Sequence, residues 1–66
     1  MNQKYAEIDC TIVWETQRAL LIDDGDNECW VPKSMCDLAN ASGKIEIGST
    51  ITLPISYGIA KSKGLV

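Results

Sequence analysis

The sequence predicts a single, small, mainly β domain, which we expect to be a five-stranded barrel with a short C-terminal helix. Three observations favour this fold class. Apolar and polar residues alternate with period two near the N-terminus, an acidic turn separates two apolar runs, and Gly and Pro interrupt the chain at short intervals. A chain of 66 residues supports one core only, so we assign residues 1–66 to one domain.

The first strand is predicted over residues 6–14. Glu7, Asp9 and Thr11 alternate there with apolar residues, as expected of a strand with one buried face. Ile, Val and Thr also favour the pleated conformation over a helix. We therefore expect an inward face formed by Ala6, Ile8, Cys10, Ile12 and Trp14.

Residues 18–34 predict a β-hairpin after a tight turn at residues 15–17. Residues 19–22 are consecutively apolar, which is typical of a central strand covered on both faces. Residues 23–27 are Asp-Asp-Gly-Asp-Asn, a composition that favours a turn. The third strand then runs over residues 28–31 and ends at Pro32, which lacks the N–H that a central ladder uses.

The remainder predicts two more strands and a helix. Residues 35–39 fit one helical turn or an irregular edge equally well. Ile45 and Ile47 alternate with charged residues and predict strand four, and Ile51 and Leu53 predict strand five, ended by Pro54. The tail, residues 55–65, predicts a short helix stopped by a glycine at position 64. Five short strands and a helical turn are typical of an SH3-like or OB-like barrel.

Two segments carry a resemblance to a known group of proteins. The run Arg-Ala-Leu-Leu-Ile at 18–22, the run Trp-Val-Pro-Lys-Ser at 30–34 and the C-terminal Lys-Gly-Leu at 63–65 resemble small uncharacterised proteins of phages and prophages. The chain differs from their usual pattern at Gly58, where an aromatic residue is common. The resemblance implies a phage-type accessory protein that acts in the host cytoplasm, and it brings no catalytic residue.

Composition narrows the chemistry further. Nine acidic and six basic side chains give a net charge of −3, and the N-terminus lacks the apolar core of a signal peptide, so we expect a cytoplasmic protein. Three widely spaced cysteines predict reduced structural thiols. Without histidine or a Cys-x-x-Cys pair the sequence predicts no metal site and no cofactor. Catalysis is not expected, because no base or activated nucleophile is evident.

All but one of the candidate binding residues lie in the hairpin, residues 18–34, and Asp9 lies in the first strand. An acidic turn is more often a solvated hairpin tip than a cation site, and a tryptophan fills a core as readily as it stacks on a ligand, so we expect core or half-buried packing for at least one of the two tryptophans. A lysine beside a hydroxyl is a weak phosphate signal. The residues that we assign to partner binding are Trp30, Lys33, Ser34, Asp23, Asp24, Asp26, Glu28 and Asp9.

Three functions follow as hypotheses. The first is a protein-interaction module that uses its acidic surface to bind a basic partner, as an inhibitor of a host nucleic-acid-handling or defence protein would. The second is single-stranded nucleic-acid binding, with stacking on Trp30 and Tyr5 and phosphate contacts from Arg18, Lys33 and Lys44; the net negative charge disfavours it. The third is an oligomer that sequesters a small signal nucleotide. Small size and short edges also predict a homo-oligomer without membrane association.

Overall fold

The computed structural model describes residues 4–66 and shows one open sheet of four antiparallel strands followed by a short helix. The strand order is β3-β2-β1-β4, so β1 and β2 are central. The elements are β1 (Tyr5–Glu15), β2 (Ala19–Asp23), β3 (Glu28–Pro32), two 3₁₀ turns (Lys33–Met35 and Leu38–Asn40), β4 (Thr50–Ser56) and α1 (Tyr57–Ser62).

The predicted inward face of β1 forms the centre of the core. Ile8, Cys10 and Ile12 are buried, and their neighbours Glu7 and Asp9 are exposed. The period-two prediction is therefore confirmed over this stretch. The other strands and the helix complete the core with Leu20, Ile22, Val31, Ile51, Leu53, Ile55 and Ala60.

The hairpin of β2 and β3 is confirmed, with β2 as a central strand. Its four-residue tip is built by carboxylates that accept backbone hydrogen bonds. Asp24 Oδ1 accepts the N–H of Asn27 at 2.8 Å and that of Asp26 at 3.0 Å, and Asp23 Oδ1 accepts the N–H of Gly25 at 2.8 Å. Asp23 and Asp24 thus stabilise the turn itself, since each supplies an acceptor for backbone N–H groups of the turn.

The fourth predicted strand, at Ile45 and Ile47, was wrong. These residues lie in a loop that is held by two local backbone bonds: the N–H of Glu46 reaches the carbonyl of Lys44 and that of Ser49 reaches the carbonyl of Glu46. The loop bonds to β1 at its end, where the N–H of Gly48 reaches the carbonyl of Ile12 and the N–H of Ile12 reaches the carbonyl of Ser49. The turn at residues 46–49 therefore leaves no extended run to pair. Ile47 is consequently 54% exposed.

Pro54 does not end the last strand, contrary to the prediction. β4 continues to Ser56, because β4 is an edge strand and the backbone of Pro54 faces away from β1. The segment after the first 3₁₀ turn covers this edge. The N–H of Asp37 binds the Pro54 carbonyl at 2.9 Å, and Ser42 and Thr52 exchange two hydrogen bonds.

The helix stop at Gly64 is confirmed, although α1 is shorter than predicted and begins at Tyr57. The N–H of Leu65 reaches the carbonyl of Ala60, and that of Gly64 reaches Lys61, which together form a Schellman motif. Gly64 adopts a φ of 74°, a conformation that side chains with a Cβ disfavour. Leu65 is thereby turned back onto the core beside Ala60.

Candidate interaction surface

A β-bulge in β1 decides where Trp14 points. Ile12 stands opposite Ile22, but Trp14 stands opposite Leu21, so Val13 is an extra residue on β1. The extra residue shifts the alternation by one position. The prediction that Trp14 completes the buried face was therefore wrong, and its side chain is 56% exposed.

Trp14 and Trp30 belong to one surface feature. Leu21 pairs with Trp14 on one side and with Trp30 on the other, and directly paired residues project from the same face of a sheet. We call this set of three the tryptophan row. Neither indole is part of the core. Trp30 is 43% exposed, so the expectation of core or half-buried packing for at least one tryptophan is met by the half-buried Trp30.

Carboxylates border the tryptophan row on the same face. Thr11 pairs with Asp23, and Asp23 pairs with Glu28, two positions along the strands from Leu21 and Trp30. Further along β1, Asp9 occupies this face, where it accepts a 2.6 Å hydrogen bond from the Thr52 hydroxyl. The acidic border consists of Glu7, Asp9, Asp23 and Glu28.

The tip residues Asp24 and Asp26 stand apart from this face. The backbone hydrogen bonds of Asn27 and Asp26 lower the pKa of the Asp24 carboxyl, because they stabilise its ionised form. Residues 4–66 contain no group of three or more Cys, Asp or Glu side chains arranged to hold a metal ion. The tip is thus explained by its role in the turn.

Lys33 and Ser34 start the first 3₁₀ turn beyond β3. The Lys33 ammonium contacts Glu15 Oε2 at 2.6 Å, and both side chains are partly exposed, at 22% and 35%. This pair links the end of β1 to the end of β3. The ammonium of Lys33, which was predicted to contact a phosphate, is thus already paired with a carboxylate. Ser34 is exposed.

An open groove of about 530 Å³ lies between β3 and the C-terminal end of α1. Trp30 and Pro32 line it from the strand, and Ile59 lines it from the helix. Two cationic side chains, Arg18 and Lys63, also border it. Lys63 is not predictable from the sequence as a neighbour of Trp30, because only the packing of α1 brings the tail to β3. The other lining residues are Ala19, Val31 and Ser62.

The cysteines are free thiols distributed over the core and its margin. Burial raises the pKa of the Cys10 and Cys36 thiols to about 11 and also raises that of Cys29. Such thiols are poor nucleophiles at neutral pH, because the thiolate is the reactive form. They offer this surface no reactive group.

Comparisons with protein-family models, with curated proteins and with solved structures found no match. A separate search of residues 4–66 found no helix long and apolar enough to cross a membrane.

Proposed function

We propose that the protein is a non-catalytic interaction module that binds a basic, partly apolar segment of another protein on the tryptophan row. The observation that carries this proposal is the shared face of Trp14, Leu21 and Trp30, two of them large exposed hydrophobics. Exposed tryptophans in a contiguous row are typical of contact surfaces, because each indole removes a large apolar area from water on binding.

The acidic border supplies the specificity. An arginine or lysine of the partner can lie over an indole while its charge meets Asp23 or Glu28, which combines cation–π attraction with an ion pair. Charges at the rim mainly accelerate association and exclude acidic competitors. A partner segment with alternating basic and apolar side chains matches both features of the face.

The phage context extends this proposal to a class of partner. The resemblance of the Arg18 and Trp30 segments to phage proteins supports an accessory role in the host cytoplasm. Nucleic-acid-handling and defence proteins carry basic surfaces, so an acidic module could inhibit them by occupying such a site. We also propose that the open sheet curls toward an SH3-like barrel, with the bridged segment beside β4 as its additional edge.

Tryptophan fluorescence with defined peptides tests the proposal. One peptide alternates arginine with leucine, and a second of equal length alternates glutamate with leucine. We expect the basic peptide alone to change the emission, and we expect Trp14→Ser and Asp9→Lys to weaken its binding by about tenfold.

The matched controls are Tyr57→Ser and Glu46→Lys. Tyr57 is an exposed aromatic residue on α1, and Glu46 is an exposed carboxylate in the loop before β4, so neither lies on the proposed surface. Both should bind the basic peptide like the parent. Equal binding of the two peptides, or equal loss in variants and controls, would refute the assigned surface.

A second candidate function rests on the groove. Trp30 offers a stacking surface there, and Arg18 and Lys63 offer positive charge, so the groove suits a small aromatic anion such as a nucleotide or a base of single-stranded nucleic acid. Oligonucleotide and mononucleotide titrations at low salt distinguish the two. Quenching that is lost in Arg18→Glu and retained in Asp9→Lys would favour this second function.

A further inference from the structure

The outer edge of β3 is open. The N–H of Lys33 donates to the carbonyl of Arg18 across the hairpin, so this is a hydrogen-bonded pair. Hydrogen-bonded and non-hydrogen-bonded pairs alternate along an antiparallel ladder. Glu28 and Trp30 are therefore in non-hydrogen-bonded pairs, and their backbone N–H and C=O groups face away from β2. Among the described residues, no hydrogen bond reaches these outward groups. β3 therefore presents an unpaired donor and acceptor at Trp30, which is a template for another strand.

The opposite edge of the sheet is different. Residues 36–42 run beside β4 and bond to Thr52 and Pro54, and Pro54 itself lacks a donor. Within residues 4–66 the β3 edge is thus the one suited to accept a strand. Its short length and the single proline at its end permit only a few ladder bonds.

We propose that a second copy of this chain pairs its β3 antiparallel with β3 of the first, about a two-fold axis at Trp30. Trp30 is the middle residue of the five-residue strand, so this register places Trp30 opposite Trp30 and Glu28 opposite Pro32 of the other copy. At the axis, the two Trp30 residues exchange two backbone hydrogen bonds. Each Glu28 N–H donates to the second lone pair of a Pro32 carbonyl, which also accepts the Cys36 thiol of its own chain at 3.4 Å.

Charge complementarity selects a second copy as the occupant. In this register Glu28 of the second copy comes opposite Pro32, at the groove that Arg18 and Lys63 border. The acidic tip that precedes Glu28 continues toward the same cationic end. The two-fold axis repeats each contact, which makes the interface self-complementary.

The dimer also continues the proposed binding surface. Trp30 of both copies would lie side by side on one face of an eight-stranded sheet, so the two tryptophan rows become one. The dimer neither requires the protein partner nor excludes it. Its test can therefore fail while the proposed function survives.

Sedimentation of the purified full chain, from low micromolar to about 100 micromolar, measures the dimer. We expect the parent to dimerise in this range and Glu28→Lys and Arg18→Glu each to weaken dimerisation by about tenfold. The double variant should recover most of the affinity. Glu28 and Arg18 of one chain lie at opposite ends of the hairpin, about 17 Å apart along the strands, so recovery requires contact between copies.

Two further variants isolate the backbone contribution. Trp30→Pro removes the outward N–H without touching the β2 ladder and should abolish the dimer, whereas Trp30→Val keeps the N–H and should weaken it less. Asp9→Lys, on an interior strand, is the charge control and should dimerise like the parent; circular dichroism verifies that every variant is folded. A monomeric parent, or a dimer that none of the edge variants changes, would overturn the proposal.

Discussion

Trp14 stands directly opposite Leu21, one residue out of step with the neighbouring pair of Ile12 and Ile22. The bulge at Val13 thus separates β1 into two parts. Before the bulge Ile12 points into the core, and after it Trp14 points to the outer face. A single inserted residue changes which side of the sheet a tryptophan serves. The same residue therefore marks where β1 changes from contributing to the core to contributing to the exposed face.

The buried stretch of β1 should not tolerate charge. Ile12 is fully buried, so Ile12→Asp places an unpaired carboxylate in the core and should cost several kcal/mol, comparable to the whole stability of a small domain. Circular dichroism should show an unfolded chain. Asp9→Asn, three residues away on the exposed face, is the control and should melt close to the parent. A folded Ile12→Asp protein would contradict the assigned inward face.

Trp14 should be replaceable without loss of the fold. Its side chain is 56% exposed and outside the core, so we expect Trp14→Glu to change the free energy of unfolding by less than about 1 kcal/mol. Urea titration followed by far-ultraviolet circular dichroism measures this. Unfolding of the variant would mean that the indole packs inward after all.

Two glycines should respond to alanine in opposite directions. A Cβ at Gly58, inside α1, would meet no atom within 4 Å, so Gly58→Ala should stabilise the protein by about 1 kcal/mol. Gly43 has a φ of 104°, and a Cβ there would lie 2.9 Å from the Ile51 side chain, so Gly43→Ala should destabilise by about 1–3 kcal/mol. Thermal melts of the two variants give the sign directly.

The hairpin tip should contribute an acid-sensitive component of stability. The folded-state pKa of Asp24 is depressed below its ordinary value of 3.8 by the hydrogen bonds it accepts. The stabilisation is therefore present above pH 3.8 and is lost as the pH falls through the lower folded-state pKa. Asp24→Ala should remove this part of the acid transition, as pH-dependent melts can show. A variant whose melting temperature has the same pH profile as the parent would contradict it.

The buried thiols should resist alkylation until the protein opens. Burial raises the pKa of Cys10 to about 11, so little thiolate exists at pH 8, and the sulfur is also inaccessible. Mass spectrometry after iodoacetamide treatment should find Cys10 unmodified in buffer and modified in urea. Cys29, which is only partly buried, provides an internal comparison. Rapid modification of Cys10 in the folded protein would count against this packing.

Much of this fold could be predicted from the sequence, namely those segments in which one structural requirement alone determines the residue pattern. Alternation along residues 6–12 reports a single buried face, and the Asp-Gly-Asp-Asn run reports a turn, so both predictions hold. Ile45 and Ile47 alternate as well, but local turn bonds at residues 44–49 leave them unpaired. The alternation of apolar and charged residues alone does not show whether a segment pairs as a strand or forms local turn bonds.

The surface was less accessible to sequence reasoning. Trp30, Asp9, Asp23 and Glu28 were predicted as binding residues, and the register brings all four to one face. Leu21 was not predicted, because its place between the tryptophans depends on pairing with two strands at once. The sequence predicts Lys33 as a partner-binding residue but does not reveal its contact with Glu15. These positions depend on tertiary geometry that no local pattern encodes.

The segment bonded along β4 limits how far edge pairing could proceed. A sheet with two open edges can add chains at both ends and grow into a filament, as cross-β assemblies do. Here the bonds from Asp37 and Ser42 occupy β4, together with a proline that has no hydrogen to give. Growth through β3 would therefore end at two chains. Deleting residues 37–42 and replacing Pro54 by threonine would remove both parts of that stop, and turbidity or thioflavin fluorescence would report the polymer that follows.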